Sequence, residues 1–558
     1  MKIFSLKKKT GSTFKPLLNK KDKTFLAVVV ACWFIAEIFF LSWWFDTQHI
    51  TSSVGFAINS LLLVVLFLSP AWFLTFIFRS ARVRKNIKIP QYRVAMITTK
   101  VPSEPFEIVK KNLLAMLKQN YPYKYDVWLA DEQVTQETKD WCDKHNVKIS
   151  CRYGVAEYHQ PQWPRRTRCK EGNLAYFYDK YGYDNYDIVA QFDTDHIPDK
   201  NYLKNILKPF SNSKIGYVAA PNVCDANVKD SWVARGRLYF DASMHGIMQA
   251  SYNEGYAPLC IGGHYAVRTV ALKQAGGLGP ELAEDHSTTM LMNSAGWDGA
   301  YAFDAIAHGD GPLNFTDAMT QEFQWSRSLM NLLFGWTGKY LKGLTPKKRL
   351  QFLYAQMWYL LYLFTMLGGF VLPIVALATN YPLVNVDYFE FIIRYWACDI
   401  FLIIISVYIQ RKGHLRPVNS PVFSWEAILY NIVRWPWTLM GLIYSISDSI
   451  RKKAFAFKIT PKGEAAQESV SLSSILPYAV LSAISSGVAI YFALNPYGFV
   501  KGYYYLVLVN ALIYLIVTAA IVLKHTQENL KQTTLKFPQF IVLIGLLVLL
   551  GSSVFISR

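Results

Sequence analysis

The sequence predicts an α/β domain built on a mainly parallel sheet and inserted between α-helical transmembrane segments, about seven of them, with interfacial helices alongside. Three observations carry that reading. The 558 residues are 52% hydrophobic and only 17% charged, too apolar for an ordinary soluble chain. The apolar excess gathers at the two ends, in uncharged runs near the length that crosses a bilayer: 25–45, 54–78, 357–378, 475–494, 503–523 and 537–556. Between roughly residues 89 and 329 no such run occurs, and strand–loop–helix–strand repeats take its place.

The first segment, 1–23, is basic, with eight lysines ahead of the first span. Two spans fill 24–80, and Arg79, Arg82, Arg84, Lys85 and Lys88 follow them. The short loops "DTQHITSS" and "TNYPLVNVDYFE" hold no Lys or Arg, so the positive-inside rule puts the N-terminus and the domain at 89–330 in the cytoplasm. The net charge of +19 therefore hugs span ends and suits a lipid surface, not a nucleic acid. The first apolar run is too long, and lacks a small-residue cleavage site, for a removable signal peptide. Seven cysteines (32, 142, 151, 169, 224, 260 and 398) show no paired spacing and read as reduced thiols.

Within the domain, "YRVAMITTK" reads as a strand and 106–117 as an amphipathic helix. "YDVWLADE" is a second strand ending in Asp131, "NVKISCRY" a third, and "YDIVAQFDTDH" a fourth ending in Asp193, Asp195 and His196. Ligands of such sheets bind beyond the carboxyl ends of the strands, which is where these carboxylates fall. Two aspartates one residue apart on a tight turn can share a hard divalent cation that neutralises a pyrophosphate. A solvated turn cap is the bland alternative for such a pair.

Downstream, 331–412 is assigned an interfacial helix and two spans, the second (391–409) carrying Arg394 and Asp399. Glu390 lies four residues before Arg394, the spacing of a structural ion pair on a helix. In 421–470 the stretch "WEAILYNIVRWPWTLMGLIYSISDSI" is long enough to span, but Glu426, Arg434 and Pro436 interrupt it, which makes it interfacial. Three further spans are expected over 471–558, with the C-terminus outside and no C-terminal c-di-GMP-binding domain.

An ordered set of motifs goes further. Thr98 with Asp131, "CKEGNLA", "FDTDHIP", "LAEDHSTTM", "QEFQWSRS" and "FKITPKGE" together resemble the processive, membrane-embedded family 2 glycosyltransferases, most closely the bacterial cellulose-synthase-like branch. The resemblance covers roughly residues 92–464 and is specific as an ordered set, each motif being weak alone. It implies a GT-A-like domain in which Thr98 and Asp131 hold uridine and Lys170 the diphosphate side. Asp193 and Asp195 would contact UDP and its Mg²⁺ or Mn²⁺, with Gln321 also on the donor side. Asp285, beside Glu284, would be the general base for the acceptor hydroxyl; the same pair also suits a helix N-terminus. Trp325 would stack on the terminal sugar of the growing chain, and Thr460 and Lys462 would sit on a loop closing over the donor.

The sequence departs from that pattern twice. Gln324 stands where the family motif has Arg, and a Gln carries no charge. Arg327, three residues on, is expected to take over part of that role. "LCIGGHYAVR" replaces the F-x-C-G-S of cellulose synthases in the segment that shapes the acceptor site, bringing Gly263 and His264 there. The expectation is therefore a processive inverting synthase of a β-glucan from UDP-glucose, (1,3)-β-linked as in curdlan-type synthases or a branched capsular glucan. It would sit in a bacterial plasma membrane and pass the polysaccharide through its own spans, alone, as a homo-oligomer or with a secretion partner. Cellulose synthesis, a hyaluronan- or chitin-type synthase using UDP-GlcNAc, a lipid-glycosylating transferase and a transporter with a nucleotide-binding domain stand as alternatives.

Overall fold

The computed structural model describes residues 13–280, 284–451, 470–494, 501–528 and 537–556. Helices α1 (Lys20–Trp44) and α2 (Ser53–Ile77) open the chain. The strand just before them, Phe14–Pro16, pairs antiparallel with Ala81–Val83 just after them. Both ends of this helical hairpin therefore lie on one side, as two consecutive spans require.

The domain follows as β1 (Val94–Lys100), α3 (Phe106–Leu117), β2 (Asp126–Asp131), α4 (Gln136–Lys144), β3 (Lys148–Ser150), α5 (Lys170–Phe177) and β4 (Ile188–Phe192). Next come β5 (Ile215–Ala219), α6 (Trp232–Phe240), β6 (His264–Arg268), α7 (Asp285–Ser294) and β7 (Asp298–Tyr301). These seven strands form one sheet in the order β7-β5-β6-β4-β1-β2-β3, parallel except for β6, which runs antiparallel to both its neighbours. The strands are apolar on both faces because both faces are covered. Val94, Met96, Ile188 and Ala190 pack under Val109 and Leu113 of α3, while Ala95, Ile97 and Val189 face Leu174 and Phe177 of α5.

β6 has a positional consequence. Its register sets His264 opposite Phe192 and Tyr265 opposite Gln191. The chain entering an antiparallel strand thus arrives beside the exit of β4, and Gly262-Gly263 meets the Asp193–Asp195 turn. A small three-stranded sheet of Ile197–Pro198, Ala307–His308 and Asn222–Val223 lies directly below that turn.

Beyond the domain run α8 (Phe315–Gly335), α9 (Pro346–Thr379), α10 (Tyr388–Arg411), α11 (Trp425–Val433), α12 (Trp435–Arg451), α13 (Leu472–Leu494), α14 (Lys501–Glu528) and α15 (Phe537–Ile556). Among the described residues six helices, α1, α2, α9, α10, α13 and α14, are long and apolar enough to cross a membrane, and α15 contributes a shorter apolar stretch. Large apolar side chains such as Phe39, Ile393 and Trp396 are largely exposed on them, the surface that a lipid-facing helix presents. The interrupted stretch of 425–451 divides at Arg434 into α11 and α12, neither of which is among the candidate spans. α12 lies so close along α8 that a Cβ on Gly441 would fall 2.1 Å from Ser326 Oγ. Glu390 and Arg394 pair at 2.6 Å on α10 as their spacing requires, and all seven cysteines are free thiols.

Arg235 ties these layers together. From α6 it donates to Glu426 of α11 and to Glu528 at the end of α14, both at 2.8 Å. Arg235→Ala leaves two carboxylates without their shared cation, a loss of roughly 1.5–3 kcal/mol. The expected outcome is a lower melting temperature in detergent, followed by the static light scattering of a heated sample. An unchanged midpoint would show that the three helices hold together without it.

Candidate active site

The turn after β4 is fixed by its backbone. Asp193 N–H donates to Gly263 O at 2.6 Å, and Asn112 of α3 donates through Nδ2 to the carbonyls of Asp193 and Thr194. Thr194 Oγ1 donates to Thr99 O at 2.8 Å. With the chain so held, the two aspartates part company. Asp193 is partly exposed and accepts from Lys170 Nζ at 2.7 Å, whereas Asp195 is nearly buried, accepting from Asp310 N–H at 3.2 Å with His196 Nδ1 at 3.5 Å.

Lys170 opens α5 and also lies 3.7 Å from Glu284. Burial would lower its pKa, but Asp193, Glu284 and Asp285 together outweigh that and raise it, so the ammonium stays charged. Glu284 is buried, with Tyr265 Oη and Gln191 Nε2 each donating at 3.3 Å, and burial raises its pKa. Asp285 is the first residue of α7 and keeps part of its surface open. The amides of Gly262 and His286 donate to it at 2.9 and 2.8 Å. Desolvation, with Glu284 next to it, nevertheless pushes it up to about 8, a perturbation of the kind that clusters at functional sites.

The segment before β6 closes the site from the other side. Gly262 has φ +127°, and a Cβ on Gly263 would fall 2.3–2.6 Å from the ring of His196. A Cβ on Gly309 would likewise fall 2.5 Å from Cε1 and Nε2 of the same ring. Asn222 Oδ1 joins the pieces, accepting from His196 Nε2 at 2.8 Å and Gly263 N–H at 3.2 Å. The Asp193–Asp195 turn and the carboxylate at the head of α7 are thus linked through one asparagine and two glycines. Asn222 and the clamp on His196 had no local signature, because Asn222 lies on a two-residue strand far along the chain.

Other expected residues are placed differently. Thr98 and Asp131 stand at the ends of β1 and β2 but have no exposed surface: Thr98 accepts from Asn112 at 3.2 Å, and Asp131 pairs with Lys100 at 3.2 Å. They floor the cleft instead of lining it. His264 is not at an acceptor site; alternation on β6 turns it into the core, where it stacks on Phe192 and meets Tyr202 Oη at 3.1 Å. Arg327 is held by Asp448 of α12 through two bonds of 2.6 Å, which draws it away from the expected role in place of the missing arginine. Gln324 is buried within α8. Gln321 and Trp325 share a face one turn apart, met by Arg237 of α6. Thr460 and Lys462 lie outside the described residues.

Among the described residues no group of three or more His, Cys, Asp or Glu is placed to hold a metal ion. The donor set at the turn is two carboxylates, one of them already satisfied by an ammonium. That chemistry fits Mg²⁺ or Mn²⁺ completed by diphosphate oxygens and water, the usual partial protein shell of a nucleotide-bound ion.

Residues 90–328 match the family described as "Glycosyltransferase like family 2". The chain carries a glycosyltransferase family 2 domain, set between apolar helices. Over 335 residues it is 22% identical to the cellulose synthase catalytic subunit [UDP-forming] of Xanthomonas axonopodis pv. citri (strain 306), covering 55% of this chain and 41% of that one. Over 208 residues it is 25% identical to cellulose synthase 1 of Komagataeibacter xylinus, covering 34% of this chain and 12% of the relative. The chain thus spans less than half the length of these relatives. Among solved structures, mannosyltransferase PcManGT from Pyrobaculum calidifontis, in complex with GDP-Man and Mn²⁺, aligns with a TM-score of 0.45 at 15% identity, over 72% of this chain and 99% of that one.

The clamp on His196 is testable. Gly263→Ala overpacks a filled space, at about 1–3 kcal/mol, and displaces the ring that lies 3.5 Å from Asp195. UDP affinity with Mn²⁺, measured calorimetrically, is expected to fall about tenfold or more. Gly338→Ala, where nothing lies within 4 Å of the new Cβ, should leave it unchanged.

Proposed function

We propose that the protein is a processive, inverting glycosyltransferase that polymerises a β-glucan from UDP-glucose at the cytoplasmic face of a bacterial plasma membrane. The polymer would leave through the protein's own spans. One observation carries the reading: a partly open carboxylate of raised proton affinity, Asp285, stands next to Glu284, which lies 3.7 Å from the Lys170 that holds Asp193. An inverting transfer needs that arrangement. The acceptor hydroxyl gives its proton to Asp285 as its oxygen bonds to the anomeric carbon, and the bond to UDP breaks with its electron pair leaving on the phosphate. Lys170 supplies fixed positive charge beside the leaving group, and Asp193 and Asp195 would hold Mg²⁺ or Mn²⁺, which adds Lewis-acid stabilisation when bound.

The similarity to cellulose synthases favours cellulose as product. The glycine-rich entry to β6 favours a different acceptor geometry, and on that ground a (1,3)-β or branched capsular glucan is the product proposed, cellulose being the alternative. His264 no longer bears on the choice, since it lies in the core.

The test is UDP release by purified protein in nanodiscs, given UDP-glucose, UDP-GlcNAc or UDP-glucuronate with Mg²⁺ or Mn²⁺. Release and polymer are expected with UDP-glucose alone, and linkage-specific glucanases name the bond. Asp285→Asn should lower turnover by at least about a hundredfold, the contribution typical of a positioned base. No release from any donor by protein that binds UDP would sink the reading.

The same carboxylate sets a pH dependence. As a base Asp285 works only when deprotonated, so kcat/KM should rise about tenfold per pH unit below pH 8 and level off above it. Because its folded-state pKa is raised, its contribution to stability is present at low pH and is lost as pH rises through about 8. A rate profile that is flat from pH 6 to 9 would remove Asp285 from the role.

A further inference from the structure

We propose that Arg237 is the positioning residue of the acceptor platform, fixing Gln321 and Trp325 in one orientation and leaving a single face of the indole open to the sugar. The proposal rests on the polymerising reading above and adds to it how the acceptor end is held. Arg237 Nη1 donates to Gln321 Oε1 at 3.0 Å, and its guanidinium carbon lies 4.4 Å from the centre of the Trp325 ring. Gln321 and Trp325 are four residues apart on α8, so one planar cation spans two successive turns of one helix face. A cation against an indole face is attracted by the ring quadrupole, more strongly where water is scarce, and the Arg237 side chain is only 14% exposed.

The rest of α6 explains why this arginine is rigid. Arg235 is bonded to Glu426 and Glu528, and Gly236 approaches α11 so closely that a Cβ would fall 2.7 Å from Glu426 O. Asp241, one turn on, lies 3.9 Å from Arg237 Nε. Successive residues of one helix therefore grip the interfacial helix behind and the platform in front. Arg327, the cation expected beside Gln324, faces Asp448. The positive charge at this platform is supplied from α6 instead.

A stacked sugar can then approach only the ring face that Arg237 leaves uncovered, so the orientation of the chain end is set before the next transfer. Losing Arg237 frees both side chains to turn. The turn of Asp193 and Asp195 with Lys170 is built from other residues and stays intact, Gln321 being assigned here to the acceptor platform and not to the donor side where the resemblance put it.

The experiment compares wild-type protein with Arg237→Ala and Arg237→Lys in nanodiscs, measuring donor KM, UDP released per sugar found in polymer, and polymer length. Arg237→Ala is expected to keep donor KM within about twofold while polymer length falls about tenfold, the scale of one lost cation–π contact and its hydrogen bond. UDP release should then exceed incorporation, as donor is hydrolysed without elongation. Arg237→Lys keeps a charge near the ring without the planar fork and should be intermediate. Unchanged length and unchanged stoichiometry in Arg237→Ala would overturn the proposal, as would a rise in donor KM that alone accounts for the loss. If Arg237→Ala fails to bind UDP, Arg237→Lys decides: shortened polymer supports the proposal and wild-type length overturns it. A wild type that binds UDP but makes no polymer overturns the polymerase reading itself, a different result from polymer whose length ignores Arg237.

Discussion

Three carboxylates, Asp193, Glu284 and Asp285, converge on one ammonium, that of Lys170, at the open end of the sheet. One cation cannot neutralise three anions, and Glu284 is shut away from water. Protons make up the deficit: the acids of α7 are raised, Glu284 by burial foremost and Asp285 by burial and then by Glu284. The site is therefore short of positive charge before any ligand arrives. The elements around it are arranged to keep that crowding in place.

Holding it falls to backbone geometry more than to side-chain bonds. β6 is the one strand that runs against its neighbours, and its reversed direction delivers Gly262-Gly263 to the exit of β4. A parallel strand there would bring its entry to the far edge of the sheet. The two glycines then serve different contacts, Gly262 giving its amide to Asp285 and Gly263 giving way to the His196 ring. Side chains at either position would part the turn from α7.

Much of this was legible in the sequence. The helix expected at 106–117 is α3, residue for residue, because a strongly periodic segment between a proline loop and a strand leaves few alternatives. The strand ends that carry Asp131 and Asp193 were legible as well, since both are apolar runs stopped by acids. What periodicity does not encode is which way a strand runs and which face a residue takes within it. His264 is accordingly in the core, one residue from a glycine that borders the site. Arg327 illustrates a second limit: helical spacing put it near Gln324, but the carboxylate that claims it, Asp448, comes from a helix 121 positions further on. Arg237 and Asn222 reach the site only through tertiary contacts, and no window of the chain contains both partners.

The same logic links the site to the candidate spans. Gln356 stands on α9, a candidate span. Its amide lies 3.4 Å from the ring nitrogen of His286, the residue after Asp285, and its carbonyl accepts from Thr337 just past α8 at 2.6 Å. Gln351, a little over one turn earlier, bonds both the amide and the carbonyl of Ala257, in the segment that leads into Gly262. Three parts of the site, the head of α7, the end of α8 and the approach to β6, thus rest on two glutamines of one membrane helix. Each of these amides is buried and bonded on both sides, so moving α9 relative to the domain would leave several polar groups unpaired at once. The head of α7 is therefore braced by a candidate span as well as by the sheet.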